Sequence, residues 1–252
     1  MMRRTLAVVV VLSLLSTAVP AEPMRTLLSK ENRLPARGQP EVGAVVQYKE
    51  IPEDFGFVAG RDEWISAAYG RYGLTEDLAA YAKVPYVQVK PDIGDSESGL
   101  GDIAAGFEFR VSQDIFDYPW VMPHAELKLD TGDEEKGLGS GTTVTTVGLA
   151  VGTTVMDVFH WVGDAAYQIH DEGENIASIS GAFIWDLSDQ CSVLVEGTAN
   201  DLERGPGREH PKFFQGGLTY EASENLMIGF YGGSGKNTDE DVVATVKAAY
   251  SF

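Results

Sequence analysis

The sequence predicts an all-β protein, an antiparallel transmembrane β-barrel of about twelve strands, and three observations support this prediction. From residue 41 onward, apolar and polar side chains alternate with a period of two, as they do in strands. Most alternating segments reach the ~9–11 residues that a tilted strand needs to cross a bilayer. Short and long connections alternate between them, which is the asymmetry of outer-membrane barrels.

The chain begins with a pattern typical of a secretory signal peptide over residues 1–21. Two arginines precede an apolar run over residues 6–15, and a cleavage site ends at Ala21. The run is shorter than the ~20 residues of a spanning helix, so an uncleaved membrane anchor is the weaker alternative. Because no later stretch reaches ~18 consecutive apolar residues, the chain is expected in the periplasm, in the outer membrane or outside the cell.

Residues 22–40 precede the predicted barrel and differ from it in pattern. They do not alternate, and they contain Pro35, Gly38 and Pro40. We expect a periplasmic N-terminal segment here. A second interpretation is that this stretch folds back into the barrel as a plug. The barrel itself is predicted over residues 41–252.

Twelve alternating segments make up the predicted barrel, with ten and fourteen as alternatives because prolines interrupt some of them. A proline cannot donate to the strand ladder, so Pro85, Pro119 and Pro123 are tolerated best at strand starts and bulges. The predicted strands lie near residues 41–50, 62–74, 78–90, 101–112, 118–129, 142–156, 158–170, 176–187, 191–200, 212–222, 226–233 and 240–252.

The connections predict the orientation of the barrel. Its short joins fall at 75–77, 114–117, 157, 188–190 and 223–225. The longer joins, rich in Gly, Pro and acids, fall at 51–61, 91–100, 130–141, 171–175, 201–211 and 234–239. An even strand count places both chain ends on the short-turn, periplasmic side. The last strand ends in Phe252, an aromatic terminus typical of the signal for the outer-membrane assembly machinery, so that machinery is an expected partner.

The two faces of each predicted strand differ in chemistry. In residues 101–112, Phe107 and Phe109 share one face, while Glu108 and Arg110 share the other. Lipid offers no partners to backbone groups, so the sheet must close with its apolar face outward. An interfacial aromatic girdle is expected from Trp64, Trp120, Trp161 and Trp185. The polar face then lines the interior, and the predicted pore-lining residues are Lys49, Glu108, Arg110, His124, Glu126, Lys128, His160, Asp164, Gln168, Glu196, Glu221 and Lys247.

Charge and composition argue against several functions. A net charge of −19 would repel nucleic acid, and Cys191 is the only cysteine, so no intrachain disulfide can form. No cofactor or metal site is expected. Lys236 is not followed by the Ser or Thr of a phosphate-binding loop, and the acids of residues 130–135 lack the spacing of a calcium loop. Loose binding of divalent cations by the acidic loops is left open.

Histidine placement argues against an enzyme. By strand parity His124, His160 and His170 point inward, and His210 lies in a loop. Hydrolysis of lipid would require a serine and a histidine within hydrogen-bond reach at the lipid-facing surface. No such pair is apparent, so catalytic residues are not expected.

Three segments together resemble the outer-membrane "MetA-pathway of phenol degradation" transporter family. They are "YGLTEDLAAYAKVPY" at 72–86, "SGLGDIAAGFEFR" at 98–110 and "LKLDTGDEEKGLGSGTT" at 127–143. The resemblance spans roughly residues 60–250 and implies an outer-membrane barrel, often encoded with aromatic-compound catabolism and presumed to admit hydrophobic substrates. It implies no established catalytic residues. Where family members commonly have a proline in the third motif, this chain has Asp130.

Together these observations predict an outer-membrane channel of a Gram-negative-type cell. Its expected function is passive uptake of small hydrophobic or aromatic compounds, in contact with outer-membrane lipid and lipopolysaccharide. The alternative is a structural or surface-interaction barrel with a salt-bridged, closed lumen and acidic loops that bind divalent ions or partners. Closure of that kind would use ion pairs such as those that Glu108 and Arg110 could form with Glu126 and Lys128.

Overall fold

A computed structural model describes residues 23–52, 60–111, 119–200, 211–236 and 240–252. The predicted signal peptide and the predicted join at 114–117 lie outside these residues. The strands are β1 (Pro40–Ile51), β2 (Arg61–Gly73), β3 (Leu78–Pro91), β4 (Glu97–Leu100), β5 (Ala104–Phe109), β6 (Trp120–Lys128), β7 (Val144–Val155), β8 (Phe159–His170), β9 (Ile176–Ser188), β10 (Cys191–Asn200), β11 (Lys212–Ser223), β12 (Leu226–Lys236) and β13 (Val242–Ser251).

These strands form one antiparallel sheet that closes into a barrel. Apart from β4, which pairs only with β3, the strands pair in chain order, β1 pairs with β13, and the pairing of β2 with β3 completes the circle. Segments β4 and β5 both pair with β3 and together make one crossing, so the barrel has twelve strands. The predicted fold class and strand count are confirmed.

The fourth crossing differs from its prediction at 101–112 because it begins earlier and is broken. The ladder with β3 runs from Val89↔Glu97 to Tyr86↔Leu100, and it resumes at Lys83↔Ala104. The break therefore lies opposite Pro85, which has no N–H to donate. A proline inside a strand marks the one place where this crossing leaves the ladder.

The observed connections keep the predicted asymmetry. Turns of two to four residues join β2 to β3, β7 to β8, β9 to β10 and β11 to β12. In the turn at 156–158, Met156 and Asp157 have φ of 55° and 59°, the left-handed conformation that a tight hairpin turn requires. The barrel starts at Pro40 and ends at Ser251 on this short-turn side, which is the periplasmic side.

Burial alternates along the strands as the sequence predicts. In β5 the exposed side chains include Phe107 and Phe109, whereas Glu108 is fully buried. A single sheet can bury a side chain only on the inside of the barrel, so the apolar residues face lipid. Three predicted girdle residues, Trp64, Trp161 and Trp185, are exposed on this outer face. No described helix is long and apolar enough to cross a membrane.

The prediction for Trp120 was wrong. Its side chain is half-buried and packs inside the barrel against the cluster of Leu34, Ala79, Met122 and Ala150. The cause is strand parity, because Trp120 lies an even number of residues from His124 and shares its inward face.

An arginine placed on the lipid-facing side should destabilise the barrel according to its depth. Val246 is exposed near the middle of β13, whereas Val242 is exposed at its extracellular end. We expect Val246→Arg to lower the free energy of unfolding by about 2–4 kcal/mol and Val242→Arg by about 0–1 kcal/mol. Urea unfolding in phospholipid vesicles measures both values. Equal losses would contradict the assignment of the outer face.

The barrel lumen as candidate functional site

Eleven of the twelve predicted pore-lining residues occupy inward-facing positions of the strands. Arg110 continues the same alternation one residue after the end of β5. Buried in the structure are Glu108, His124, Asp164, Glu196 and Lys247. Half-buried are Lys49, Arg110, Glu126, Lys128, His160, Gln168 and Glu221. That these side chains line a solute path stays a prediction. What the structure adds is their partners, many of which lie in residues 23–39, called here the N-terminal segment.

Arg25 of the N-terminal segment is almost completely buried between the segment and the wall. Its guanidinium contacts Glu31 at 2.6 Å and Asp186 of β9 at 2.6 Å. Its carbonyl oxygen accepts a hydrogen bond of 2.6 Å from the Tyr231 hydroxyl on β12. An unpaired buried charge costs several kcal/mol. Arg25 can therefore stay buried only as long as its acidic partners stay in place.

Wall residues of β10 and β13 bind the backbone of the N-terminal segment. The Glu196 carboxylate accepts hydrogen bonds from the backbone N–H groups of Leu27 and Leu28 at 3.0 and 3.1 Å. The Lys247 ammonium donates to the carbonyl oxygens of Met24 and Thr26. The segment has no regular secondary structure here, so these side chains replace the partners that a strand or helix would supply.

A second group of charges surrounds Arg71 on β2. Its guanidinium contacts Glu41 at 2.9 Å and Glu108 at 2.8 Å, and it donates to the carbonyl oxygen of Arg33 at 2.7 Å. Lys30 of the N-terminal segment also contacts Glu108, at 2.9 Å. The ion pairs proposed from sequence between Glu108 and its neighbours therefore form with different cations, which come from β2 and from the N-terminal segment.

The remaining proposed partners are also engaged elsewhere. Arg110 pairs with Asp77 at 2.9 Å, and the Tyr81 hydroxyl donates to Glu126 at 2.7 Å. The Lys128 ammonium lies 3.6 Å from Asp102. Sequence alternation predicts which face these charges occupy, but their partners depend on how the strands are staggered, and alternation carries no information about that.

Two His–Asp pairs stand where the N-terminal segment contacts the wall. His124 Nε2 lies 3.0 Å from Asp164, which also accepts a hydrogen bond from the Lys30 backbone N–H at 3.2 Å. His160 Nε2 lies 2.7 Å from Asp186, the partner of Arg25. The Thr154 hydroxyl, 2.8 Å from His160 Nδ1, completes the order of groups in a hydrolytic triad. Asp186 is occupied by Arg25, however, so the geometry supports a role in holding the segment.

The N-terminal segment separates two cavities in the lumen. The extracellular cavity, of about 210 Å³, is bounded by Leu28 and Lys30 and by wall residues that include Gln168 and Asn200. The periplasmic cavity has a volume of about 270 Å³. Its lining residues are Arg25, Glu31, Asn32, Arg33, Trp120, Thr154, His160, Trp161 and Val162.

The loop over residues 129–143, called here the mouth loop, folds back onto the inside of the wall. Leu138 is buried against Val87 and Val89 of β3. The Asp102 carboxylate accepts hydrogen bonds from the backbone N–H groups of Gly132 and Ser140 at 3.0 and 2.8 Å. They lie at the break opposite Pro85, where Asp102 is outside the ladder and its carboxylate binds the loop. In the sequence, the contact between this loop and the fourth crossing is indicated by two Gly-rich segments, residues 98–102 and 137–141.

Three solved structures of similar fold are an outer membrane channel from Pseudomonas putida F1, the NanC porin and the KdgM porin in complex with disordered oligogalacturonate. The channel has a TM-score of 0.70 and 12% identity over 95% of this chain and 100% of its own. NanC has a TM-score of 0.58 and 7% identity over 84% and 100%. KdgM has a TM-score of 0.57 and 9% identity over 84% and 99%.

At such identities the comparison shows the fold, and all three are channels or porins rather than enzymes. No curated protein matches this chain. The closed barrel and its lipid-facing apolar surface place the protein in the outer membrane of a Gram-negative-type cell. The model of one family matches residues 53–252, which confirms the resemblance found in the three sequence motifs. The chain therefore belongs to the "MetA-pathway of phenol degradation" family.

Proposed function

We propose that the protein is an outer-membrane channel for passive uptake of small hydrophobic or aromatic compounds, and that the N-terminal segment is its internal plug. One observation supports this above others: the segment divides a polar lumen into two cavities and is held there by charged side chains. A barrel that needed only to be filled would be better stabilised by apolar packing, because buried ion pairs are often no more stable than hydrophobic replacements.

The extracellular cavity supports a solute that combines a small ring with a polar group. Hydrogen-bonding side chains dominate its lining, among them Gln168, Asn200 and Thr146. One aromatic surface is present, the Tyr81 ring, with the Lys30 ammonium 4.3 Å from its centre. A volume of about 210 Å³ is below the ~300–1,000 Å³ of drug-sized sites. Single-ring compounds that carry a hydroxyl group fit this lining better than bare hydrocarbons do.

Loss of the buried Arg25 charge should open the channel. We expect Arg25→Ala to release the N-terminal segment, because it leaves Glu31 and Asp186 without a main partner, and breaking a buried pair costs about 3–5 kcal/mol. The measurement is single-channel conductance in planar bilayers, with swelling of liposomes in phenol, catechol or benzoate as the test of uptake. Arg37→Ala is the matched control, since Arg37 is exposed in the same segment.

The result expected is frequent, larger openings for Arg25→Ala and wild-type behaviour for Arg37→Ala. A variant that lacks residues 23–39 should stay open. If neither the deletion nor Arg25→Ala conducts ions or admits any of the three solutes, uptake is the wrong function.

Acid should also release the N-terminal segment. Burial by itself would raise the pKa of the Glu31 carboxyl, but the Arg25 and Arg33 guanidiniums outweigh it and lower that pKa from 4.5 to about 2. A lowered pKa means that Glu31 stabilises the docked segment above its usual pKa of 4.5, and that this stabilisation is lost as the pH falls towards 2.

Channel opening should therefore increase between pH 4.5 and pH 2, because the protonated Glu31 no longer attracts its two arginines. The measurement is open probability against pH in planar bilayers. Glu31→Gln should already open more often at pH 6 and should respond less to acid. An identical pH dependence in the variant and the wild type would show that other carboxylates control release.

A second candidate is a structural or surface-interaction barrel with a closed lumen. The same ion pairs around Arg25 and Arg71 favour this candidate. They would keep the lumen closed if no solute displaced the N-terminal segment. The two candidates differ in one measurement, which is solute uptake by vesicles that contain the wild-type protein. Binding of divalent ions or partners by the acidic loops belongs to this second candidate.

Three further expectations follow from the proposed function. No catalytic role is expected, and the contact of Arg25 with Asp186 supports this for the Thr154–His160–Asp186 group. The assembly machinery recognises the C-terminal strand, where Phe252 donates its backbone N–H to Pro40 and so sits beside the seam of β1 and β13. Outer-membrane lipid surrounds the exposed apolar side chains.

A further inference from the structure

Two lysines face each other on the outer surface of the barrel. Lys212 is the first residue of β11 and Lys236 the last of β12, and they are direct partners across this antiparallel pair. Both side chains are exposed and lie on the lipid-facing side of their strands, the same side as Phe214 and Phe230. Like charges directly opposite each other on one sheet face destabilise the pair unless an anion lies between them.

Neither lysine has an anionic partner among the residues that the structure describes. By contrast Lys30, Lys49 and Lys247 each bind a carboxylate or a carbonyl oxygen. Lys90, at the same end of the barrel and on the same outer face, lies opposite Asp62 instead of another lysine. In a chain of net charge −19, two lysines that face each other with no acid beside them among the described residues are a local exception.

An apolar groove lies directly beside Lys212 on the outer wall. It has a volume of about 560 Å³, and Lys212 forms part of its rim. Its outward-facing lining comes from β9, β10 and β11, with Ile179, Phe183, Val195, Ala199 and Phe214 as the main side chains. The groove exists because small residues leave space between Phe183 and Phe214, which are 69% and 61% exposed. Its dimensions and chemistry suit an acyl chain.

The position of the lysines in the membrane identifies the lipid. They stand at the end of the barrel opposite Pro40 and Ser251, which is the extracellular end. The leaflet at that end presents phosphorylated glycolipid. Lysine ammonium groups are good phosphate ligands, and their flexible stems let the charge reach the headgroup level while the methylenes stay on apolar surface. A phosphorylated glycolipid carries both parts in one molecule, a phosphate for the lysine pair and an acyl chain for the groove.

We propose that Lys212, Lys236 and the adjoining groove form a binding site for lipopolysaccharide, with the two ammonium groups on a phosphate of its lipid A and one acyl chain in the groove. The site is on the outside of the wall, so it is independent of the lumen and of solute uptake. The lipid phosphate supplies the anion that the lysine pair lacks within the described chain.

Native mass spectrometry of the full-length protein in detergent, titrated with purified bis-phosphorylated lipid A, tests this site. Lys212→Gln/Lys236→Gln should bind about tenfold or more weakly than the wild type, since each lysine near an anionic lipid surface contributes measurably to attraction. Lys90→Gln is the matched control and should bind as the wild type does. Ala199→Phe fills the groove without any change of charge and should weaken binding to a similar extent.

Two further measurements distinguish a specific site from general lipid contact. The wild type should prefer lipid A over phosphatidylethanolamine of equal chain length, and this preference should fall at high salt because exposed charges are screened. Retention of folded mobility in unheated gels confirms that each variant is folded. Unchanged lipid A binding by the double lysine variant, an equal loss in Lys90→Gln, or no loss in Ala199→Phe would each overturn the proposal.

Discussion

The structure depends first on the absence of hydrogen-bond partners in lipid. Every backbone N–H and C=O at membrane depth must pair with a neighbouring strand, so the sheet has to close, and the seam of β1 with β13 runs over ten residue pairs. Closure then divides every strand into two chemistries. The outer face must be apolar, and whatever charge the protein needs for function is confined to the inside or to the strand ends.

Charged side chains confined to the inside of the barrel need partners there, and the N-terminal segment supplies some of them. Wall acids such as Asp186 and Glu108 receive cations from that segment, Arg25 and Lys30 respectively. Glu196 receives backbone N–H groups instead. The segment is thus part of the charge balance of the lumen, and its departure would leave several acids to be satisfied by water or by an entering solute.

Much of the barrel was predictable from the sequence, because alternation and turn spacing are local. Strand ends agree with their predictions to within a few residues nearly everywhere in the described chain. The inward orientation of residues such as Glu108 followed directly from the alternation of polar and apolar residues. The partners were not predictable. Arg71 meets Glu108 because of the stagger between β2, β3 and β5, and no periodicity encodes that stagger. The break opposite Pro85 and the inward side of Trp120 did have signals in the sequence, a missing donor and a parity count.

The mouth loop gives one side of the barrel a different mechanical character from the other. Through Asp102 and Leu138 it ties the extracellular ends of β3, the broken fourth crossing, β6 and β7 into one unit. The opposite side of the barrel differs in composition, because β11 and β12 are rich in glycine. Any movement of the extracellular opening should therefore leave the braced strands nearly fixed relative to one another.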